Sequence, residues 1–316
     1  MSKACIVLAL AFVVFMVYVC TMTIHQATQQ LTFQLLHIYE EREARNIAGL
    51  VMEKITEWKR IDRVVNKHVP LSPDKQQLLG WYTEELLSHK PVQYVLNEAW
   101  FCGLKLYVDE YVLIPRPETE ELVEWVVQEV RGMVGENTNH VEKLKILDIG
   151  TGSGCIAIAL KKKYPGAVVY ACDVSEKALI VAARNATKHN TEISFILCDF
   201  LTDSERKELP AIDMLVSNPP YIPQNDKRKM HSNVVEFEPK LALFVPDEAP
   251  LVFYDALADF AKTHLSKTGG VYVEINEESG REVAAVFTKK DFRNTVLKKD
   301  LQGKDRMIKA TLQRSI

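Results

Sequence analysis

From Lys145 onward, short β-prone runs and helical runs take turns along the chain. Lys145–Ile149, Ala167–Cys172, Ile193–Cys198, Ile212–Ser217 and Val271–Ile275 read as strands. Cys155–Lys163, Ser175–His189 and a run near Leu251–Leu265 read as helices. A strand followed by a helix cannot pair with the next strand as a hairpin. It must cross over, so alternation predicts an α/β fold with a mostly parallel sheet covered by helices on both faces. At 316 residues, with 47% apolar and 26% charged residues, the chain can bury such a sheet and still hold a smaller domain.

Upstream the texture differs. Residues 22–91 read as a small helical domain. Leu31, Leu35 and Ile38 mark one amphipathic helix, and Ile47, Val51, Ile55 and Trp58 a second. A third starts at Ser72-Pro73, with Ser72 as N-cap and Pro73 where its missing N–H costs nothing, and runs through Leu78, Trp81 and Leu86. Residues 92–115 read as a β-hairpin connector with turns at Asn97-Glu98 and near Asp109-Glu110. Residues 116–316 form the larger domain, opening with a helix through Leu122, Trp125, Val126 and Val130 and then a polar loop, Gly132–Glu142.

Residues 1–21 stand apart as an apolar leader. Ala4–Cys20 carries no charged or strongly polar side chain and follows Lys3. It is longer than a signal-peptide core and short for a full membrane span. Three readings stay open: a true start at Met22, a membrane anchor, and, last, a signal peptide. The six cysteines are scattered without a CxxC pair. They read as small buried hydrophobes in a reducing compartment, with no metal and a cytoplasmic setting. The net charge of −3 offers no basic face for a phosphate backbone, which argues against a nucleic-acid partner.

Three strand ends carry chemistry. The first is Asp148-Ile149-Gly150-Thr151-Gly152-Ser153-Gly154, where glycines permit a sharp turn and close approach of backbone to ligand. Its spacing departs from the dinucleotide fingerprint, and no Gly-Lys-Ser/Thr follows, so a phosphate-cradling loop is disfavoured. The second is Asp173, a little over twenty residues after Gly150, placed to take both ribose hydroxyls of a nucleoside. The third is Asp199-Phe200, a polar group and an aromatic face suited to adenine. All three sit on the carboxyl edge of the sheet, where open α/β folds bind ligands.

Asn218-Pro219-Pro220-Tyr221 follows the next strand. The Asn218 side-chain oxygen and the Pro219 carbonyl can each accept one N–H of an –NH₂ group, with the Tyr221 ring against its plane. That suits an amide or aromatic amine, whose delocalised lone pair must be aimed at an electrophilic methyl sulfonium. Catalysis then consists of positioning and electrostatics, without an activated nucleophile or a metal.

These motifs make the chain, from about residue 25 onward, resemble the release-factor glutamine methyltransferases of the HemK/PrmC family. The likeness rests on Leu113-Ile114-Pro115-Arg116-Pro117-Glu118-Thr119-Glu120, the glycine loop, Asp173 and the segment 217–223 (SNPPYIP). It continues in Phe237-Glu238-Pro239, Leu241-Ala242-Leu243, Glu274 with Gly280, and Asp305-Arg306. The resemblance implies a class I, Rossmann-like S-adenosylmethionine methyltransferase sheet with an N-terminal helical domain that grips the substrate. It implies cofactor contacts from Gly150, Thr151, Gly152, Ser153, Gly154, Asp173, Phe200 and Asn218. It further implies that Asn218, Pro219, Pro220 and Tyr221 hold the glutamine of a Gly-Gly-Gln motif in peptide chain release factors, methylated on N5. Phe200 stands where the family often has tryptophan, and the leader has no family counterpart. Two other acceptors fit the same motif: a glutamine of a ribosomal protein, and the N6 amine of adenine in nucleic acid.

Overall fold

The structure, a computed structural model, describes residues 22–134 and 144–312. The apolar run 4–20 and most of the loop expected at 132–142 lie outside the described residues. Among those described, no helix is long and apolar enough to cross a membrane. The chain divides between Leu96 and Asn97 into two compact units.

The first unit is helical: α1 (Ile24–Leu35), α2 (Glu41–Thr56), α3 (Arg60–Val65), α4 (Pro73–Leu87) and α5 (Val92–Leu96). Thr23 and Gln26 start α1 with a reciprocal capping box, each side chain accepting from the other's backbone N–H. Leu31, Leu35, Val51, Met52 and Leu86 fill the core with essentially no exposure.

Several sequence expectations shift here. Ile38 lies past the end of α1, and α3 was not foreseen. Ser72 precedes α4 as expected, yet its side chain makes no capping bond. The apolar stripe of α4 is also offset from the expected one. Leu79, Tyr82 and Leu86 are buried, whereas Leu78 and Trp81 are 37% and 50% exposed. Leu78 and Leu79 are equally apolar, so periodicity alone could not fix the helix phase. Finally, the connector expected to be all β from Val92 begins with the helical turn of α5, whose Tyr94, Val95 and Leu96 are buried.

The second unit opens with the hairpin β1 (Ala99–Phe101) and β2 (Leu104–Leu106). Its turn is Cys102-Gly103, both at positive φ, as a tight two-residue hairpin turn requires. Asn97, expected at a turn, is itself at positive φ and ends α5. Then come α6 (Pro117–Val134), β3 (Lys145–Ile149), α7 (Cys155–Lys163), β4 (Val168–Asp173), α8 (Glu176–Lys188), β5 (Ser194–Leu197), α9 (Asp203–Arg206) and β6 (Ile212–Ser217). After β6 follow β7 (Ile222–Pro223), α10 (Ser232–Phe237), α11 (Lys240–Leu243), β8 (Phe244–Val245), α12 (Val252–His264), β9 (Leu265–Glu274) and α13 (Gly280–Lys289). The unit closes with β10 (Asn294–Lys299) and β11 (Asp305–Thr311).

Seven strands form the main sheet in the order β10-β11-β9-β6-β3-β4-β5, and β11 alone runs against its neighbours. The last two strands were missing from the sequence reading. Their lysines hid the alternation, because β10 is a half-exposed edge strand. The central strands have two apolar faces. Ile146, Met214 and Tyr272 pack toward α6 and α7, while Leu147, Leu215 and Val271 pack toward α12 and α13.

The chain runs from β3 outward through β4 and β5, then returns to β6 on the other side of β3. That reversal leaves a crevice at the carboxyl ends of β3 and β6, where such sheets take ligands. Ser217 Oγ donates to the Ile149 carbonyl at 2.7 Å and ties the two strand ends together there.

Candidate active site

The crevice is built first by backbone. Gly150, Gly152 and Gly154 all take positive φ, at 68°, 53° and 79°. Around Gly150 and Gly152 an added Cβ would meet open space, while at Gly154 it would press on Ala182 and Ile158 at 3.1 Å. The first two glycines thus leave room for a ligand, and the third lets α7 pack against α8. Asp148 anchors the turn from beneath, fully buried, with one oxygen accepting from Thr151 Oγ1 at 2.6 Å and from the Ala157 N–H at 3.2 Å. Burial pushes its carboxyl up to about 7, against the two hydrogen bonds that oppose the shift.

Asp173 closes the turn from β4. One carboxylate oxygen accepts the Gly152 N–H and the other the Ser175 N–H, both at 2.9 Å. Burial raises its pKa, with those backbone bonds acting the other way. Asn185 of α8 serves the same loop. Its amide donates to the Ser153 carbonyl and to the Tyr107 carbonyl, and its oxygen accepts the Tyr107 N–H at 2.7 Å. No sequence motif pointed to Asn185, although a fully buried asparagine on the apolar face of an amphipathic helix is the signal that marks such a tie.

A cavity of about 300 Å³ opens over this loop. Gly150, Gly152, Asp173, Phe200, Asn218, Pro219 and Pro220 all line it, together with Asp199. Phe200 is almost wholly buried, its ring edge-on to Phe260 at 5.5 Å. Thr151, Ser153 and Gly154 do not line the cavity; their buried atoms shape the turn behind it. Tyr221 does not line it either. It faces a second cavity of about 200 Å³, walled by Leu113, Arg116, Ile222, Met230 and Val234. Asn218 and Pro219, with Leu113 and Ala242, belong to both cavities and form the wall they share.

That wall is braced from three distant segments. Asn218 Nδ2 donates to Thr119 Oγ1 at 3.0 Å, and Thr119 Oγ1 donates to Glu274 at 2.6 Å. Tyr221 donates its hydroxyl to the other oxygen of Glu274 at 3.2 Å. Nearby, Glu238 is buried and accepts from the Ile114 N–H at 3.1 Å and from the Arg116 guanidinium. The segment around Pro115-Arg116-Pro117 is thereby fastened at two points beside Asn218. The resemblance had marked Thr119, Glu238 and Glu274 without giving any of them a role. Their partners lie 53 to 155 residues away in sequence, so only the fold reveals the pairings.

The glycine cradle, the strand-end carboxylate and the cavity fit an adenosyl cofactor, with open backbone where its amino-acid tail would lie. Buried free thiols at Cys155, Cys172 and Cys198 sit in the same region, while Cys102 is exposed at the hairpin tip. Among the described residues, no three His, Cys, Asp or Glu side chains gather as a metal site.

Comparison with known proteins gives the chain's family. Residues 134–237 match the family described as Methyltransferase small domain, and residues 26–96 match the PrmC N-terminal domain. The release factor glutamine methyltransferase of Flavobacterium psychrophilum is 43% identical over 294 residues, spanning 92% of this chain and all of that protein. The chain belongs to the release factor glutamine methyltransferase family. The family's member in Bacteroides thetaiotaomicron is 36% identical, over 90% of this chain and 99% of its own length. Among solved structures, the hMettl16 catalytic domain in complex with MAT2A 3'UTR hairpin 6 aligns with a TM-score of 0.51 at 13% identity, covering 78% of this chain and 84% of its own. A likeness at that identity reports the shared methyltransferase fold. The family member described here is an S-adenosylmethionine-dependent methyltransferase with a Rossmann-like sheet and an N-terminal helical domain.

Proposed function

We propose that this chain methylates the side-chain amide nitrogen of a glutamine in peptide chain release factors, on the Gly-Gly-Gln motif, and that Asn218 and Pro219 hold the amide. The observation that carries this reading is the shared wall. Asn218 and Pro219, flanked by Leu113 and Ala242, face both the cavity over the glycine loop and the smaller chamber lined by Arg116 and Tyr221, and of these four they alone offer polar acceptors beside the Asn-Pro-Pro-Tyr turn. A cofactor in the first and a side chain in the second would meet across Asn218-Pro219. The full-length likeness to release factor enzymes supports the choice of acceptor.

S-adenosylmethionine, when bound, supplies an electrophilic methyl on sulfur. The protein's part is to place a weak nucleophile against it. Gly150 and Gly152, with the backbone through Gly154, would cradle the cofactor, Asp173 would accept from its ribose, and Phe200 would face its adenine. Asn218 Oδ1 and the Pro219 carbonyl would each accept one amide N–H, fixing the plane of the glutamine and turning its lone pair toward the methyl. Tyr221 would flank that plane. The methyl would pass to the nitrogen held by Asn218 and Pro219, the S–C electron pair would stay with sulfur, and the nitrogen would give one proton to solvent. Once bound ligands displace water from the crevice, each oriented dipole would count for more than it does in bulk water.

The test uses purified protein, methyl-labelled cofactor and purified release factor, with the labelled peptide then located. Label on the glutamine of the Gly-Gly-Gln peptide is expected. Label confined to a ribosomal protein or to nucleic acid would overturn the assignment.

A further inference from the structure

We infer that Thr119 and Glu274 are positioning residues that set which way round the Asn218 amide points. This rests on the reading of Asn218 as an acceptor of the substrate amide, and it deepens that reading.

An asparagine side chain has an oxygen end and a nitrogen end of nearly the same shape, and only the oxygen end can accept an N–H. Something must therefore choose between two orientations related by a half-turn. Thr119 Oγ1 sits between Asn218, at 3.0 Å, and Glu274, at 2.6 Å. A hydroxyl has a single hydrogen. An ionised carboxylate can only accept, so Thr119 must give that hydrogen to Glu274. Only lone pairs then remain toward Asn218, and these demand a donor. The nitrogen end of Asn218 must face Thr119, and the oxygen end is left for the substrate. Asn218 Oδ1 makes no hydrogen bond with other described residues, as this requires.

The rest of the network holds Glu274 in place and favours its ionised, accepting state against burial. Tyr221 donates to its second oxygen at 3.2 Å. Tyr254 fixes its backbone by donating to the Glu274 carbonyl at 3.0 Å. The Arg306 guanidinium, itself paired with Asp300 and Glu277, favours the charged carboxylate. Burial and the Glu118 carboxylate work against charge and push Glu274 up to about 7. Protonation frees the Thr119 hydrogen to turn toward Asn218, so the opposite amide orientation becomes equally satisfied. The oxygen end is then withdrawn from the substrate. The wiring is thus correct on the alkaline side of the Glu274 titration and ambiguous on the acid side.

The experiment measures kcat on purified release factor together with affinity for S-adenosylhomocysteine. Thr119→Val keeps the shape and removes the hydroxyl. It is expected to lower kcat about 10- to 100-fold, as losing a group that orients a reactive one does elsewhere, with cofactor affinity unchanged. Thr119→Ser, which restores the hydroxyl, recovers most of the rate. In an Asn218→Ala background, Thr119→Val causes no further loss, because it acts only through Asn218. Wild-type turnover in Thr119→Val, a serine variant as slow as the valine one, or a full additional loss in the Asn218→Ala background would each overturn the inference.

A pH series decides the matter even if the valine variant fails to fold. At saturating cofactor and release factor, wild-type kcat should rise from about pH 6 to about pH 8, and Glu274→Gln should be slow and flat across that window. Asp148 titrates in the same range but lies behind the cofactor loop, so saturating cofactor and the comparison with Glu274→Gln separate the two. Parallel profiles in both proteins would overturn the inference. Normal turnover in Asn218→Ala alone would instead overturn the proposed function.

Discussion

Removing the Asn218 side chain deletes one of two acceptors for the substrate amide and leaves the cofactor cradle standing. Asn218→Ala should lower kcat about 10²- to 10³-fold, the scale for one preorganised polar contact in a transition state, with S-adenosylhomocysteine affinity largely intact. Single-turnover methyl transfer measures it, and normal turnover would contradict it. Asp173→Ala should act on the other ligand. Each of its oxygens already holds one backbone N–H of the loop, so the variant loses ribose contacts and loosens the glycine turn together. Calorimetric titration should show cofactor affinity down by at least about tenfold, since bonds to a charged group contribute about 1.5–3 kcal/mol each. Unchanged affinity would show that the carboxylate serves the loop backbone alone and takes no ribose hydroxyl. At this scale, what the sequence revealed was contiguous. Glycine spacing and the Asn-Pro-Pro-Tyr segment carry their chemistry within a few residues. Thr119, Asn185 and Glu274 act through partners 32 to 155 positions away, and no local pattern encodes such a pairing.

The strand–loop–helix element around Gly154 is constrained from two sides. Its φ of 79° is one that L side chains rarely adopt, and a Cβ there would touch Ala182 and Ile158. Gly154→Ala should therefore cost about 1–2 kcal/mol of backbone strain, with a further cost from crowding α7 against α8. Thermal unfolding should show a fall of about 2–4 °C for each kcal/mol lost. An unchanged melting point would mean the loop has another conformation available. Elements were legible where burial imposed a period. The central strands and α6 follow their apolar residues closely, with Leu122, Trp125, Val126 and Val130 all buried. The edge strand β10 and its neighbour β11 were not, because an edge needs only half its face apolar, and β10 carries Lys298 and Lys299 while β11 carries Lys309. Nor was the phase of α4, where adjacent leucines offered two stripes of equal merit.

For the whole molecule, two fully buried acids tie stability to pH. Asp148 and Glu274 move from ordinary values of 3.8 and 4.5 up to about 7, chiefly by burial. Each binds its proton more tightly folded than unfolded. Their stabilising contribution is complete below about pH 4 and is lost as pH rises through about 7. A variant combining Asp148→Asn with Glu274→Gln should lose that part of the pH dependence, seen as urea midpoints that change less than wild type between about pH 5 and about pH 8. An identical dependence in both proteins would show that the two acids are not buried in their charged forms. The overall architecture was readable because alternation and strand-end motifs reinforce one another, whereas the division at Leu96 had only α5 to mark it. The most direct test of the shared wall is a crystal structure with S-adenosylhomocysteine and a glutamine-bearing release factor. The glutamine amide nitrogen should lie within about 3.2 Å of both Asn218 Oδ1 and the Pro219 carbonyl oxygen, in the chamber beside Tyr221. A glutamine seated away from that pair, or Asn218 turned with its nitrogen toward the substrate, would contradict it.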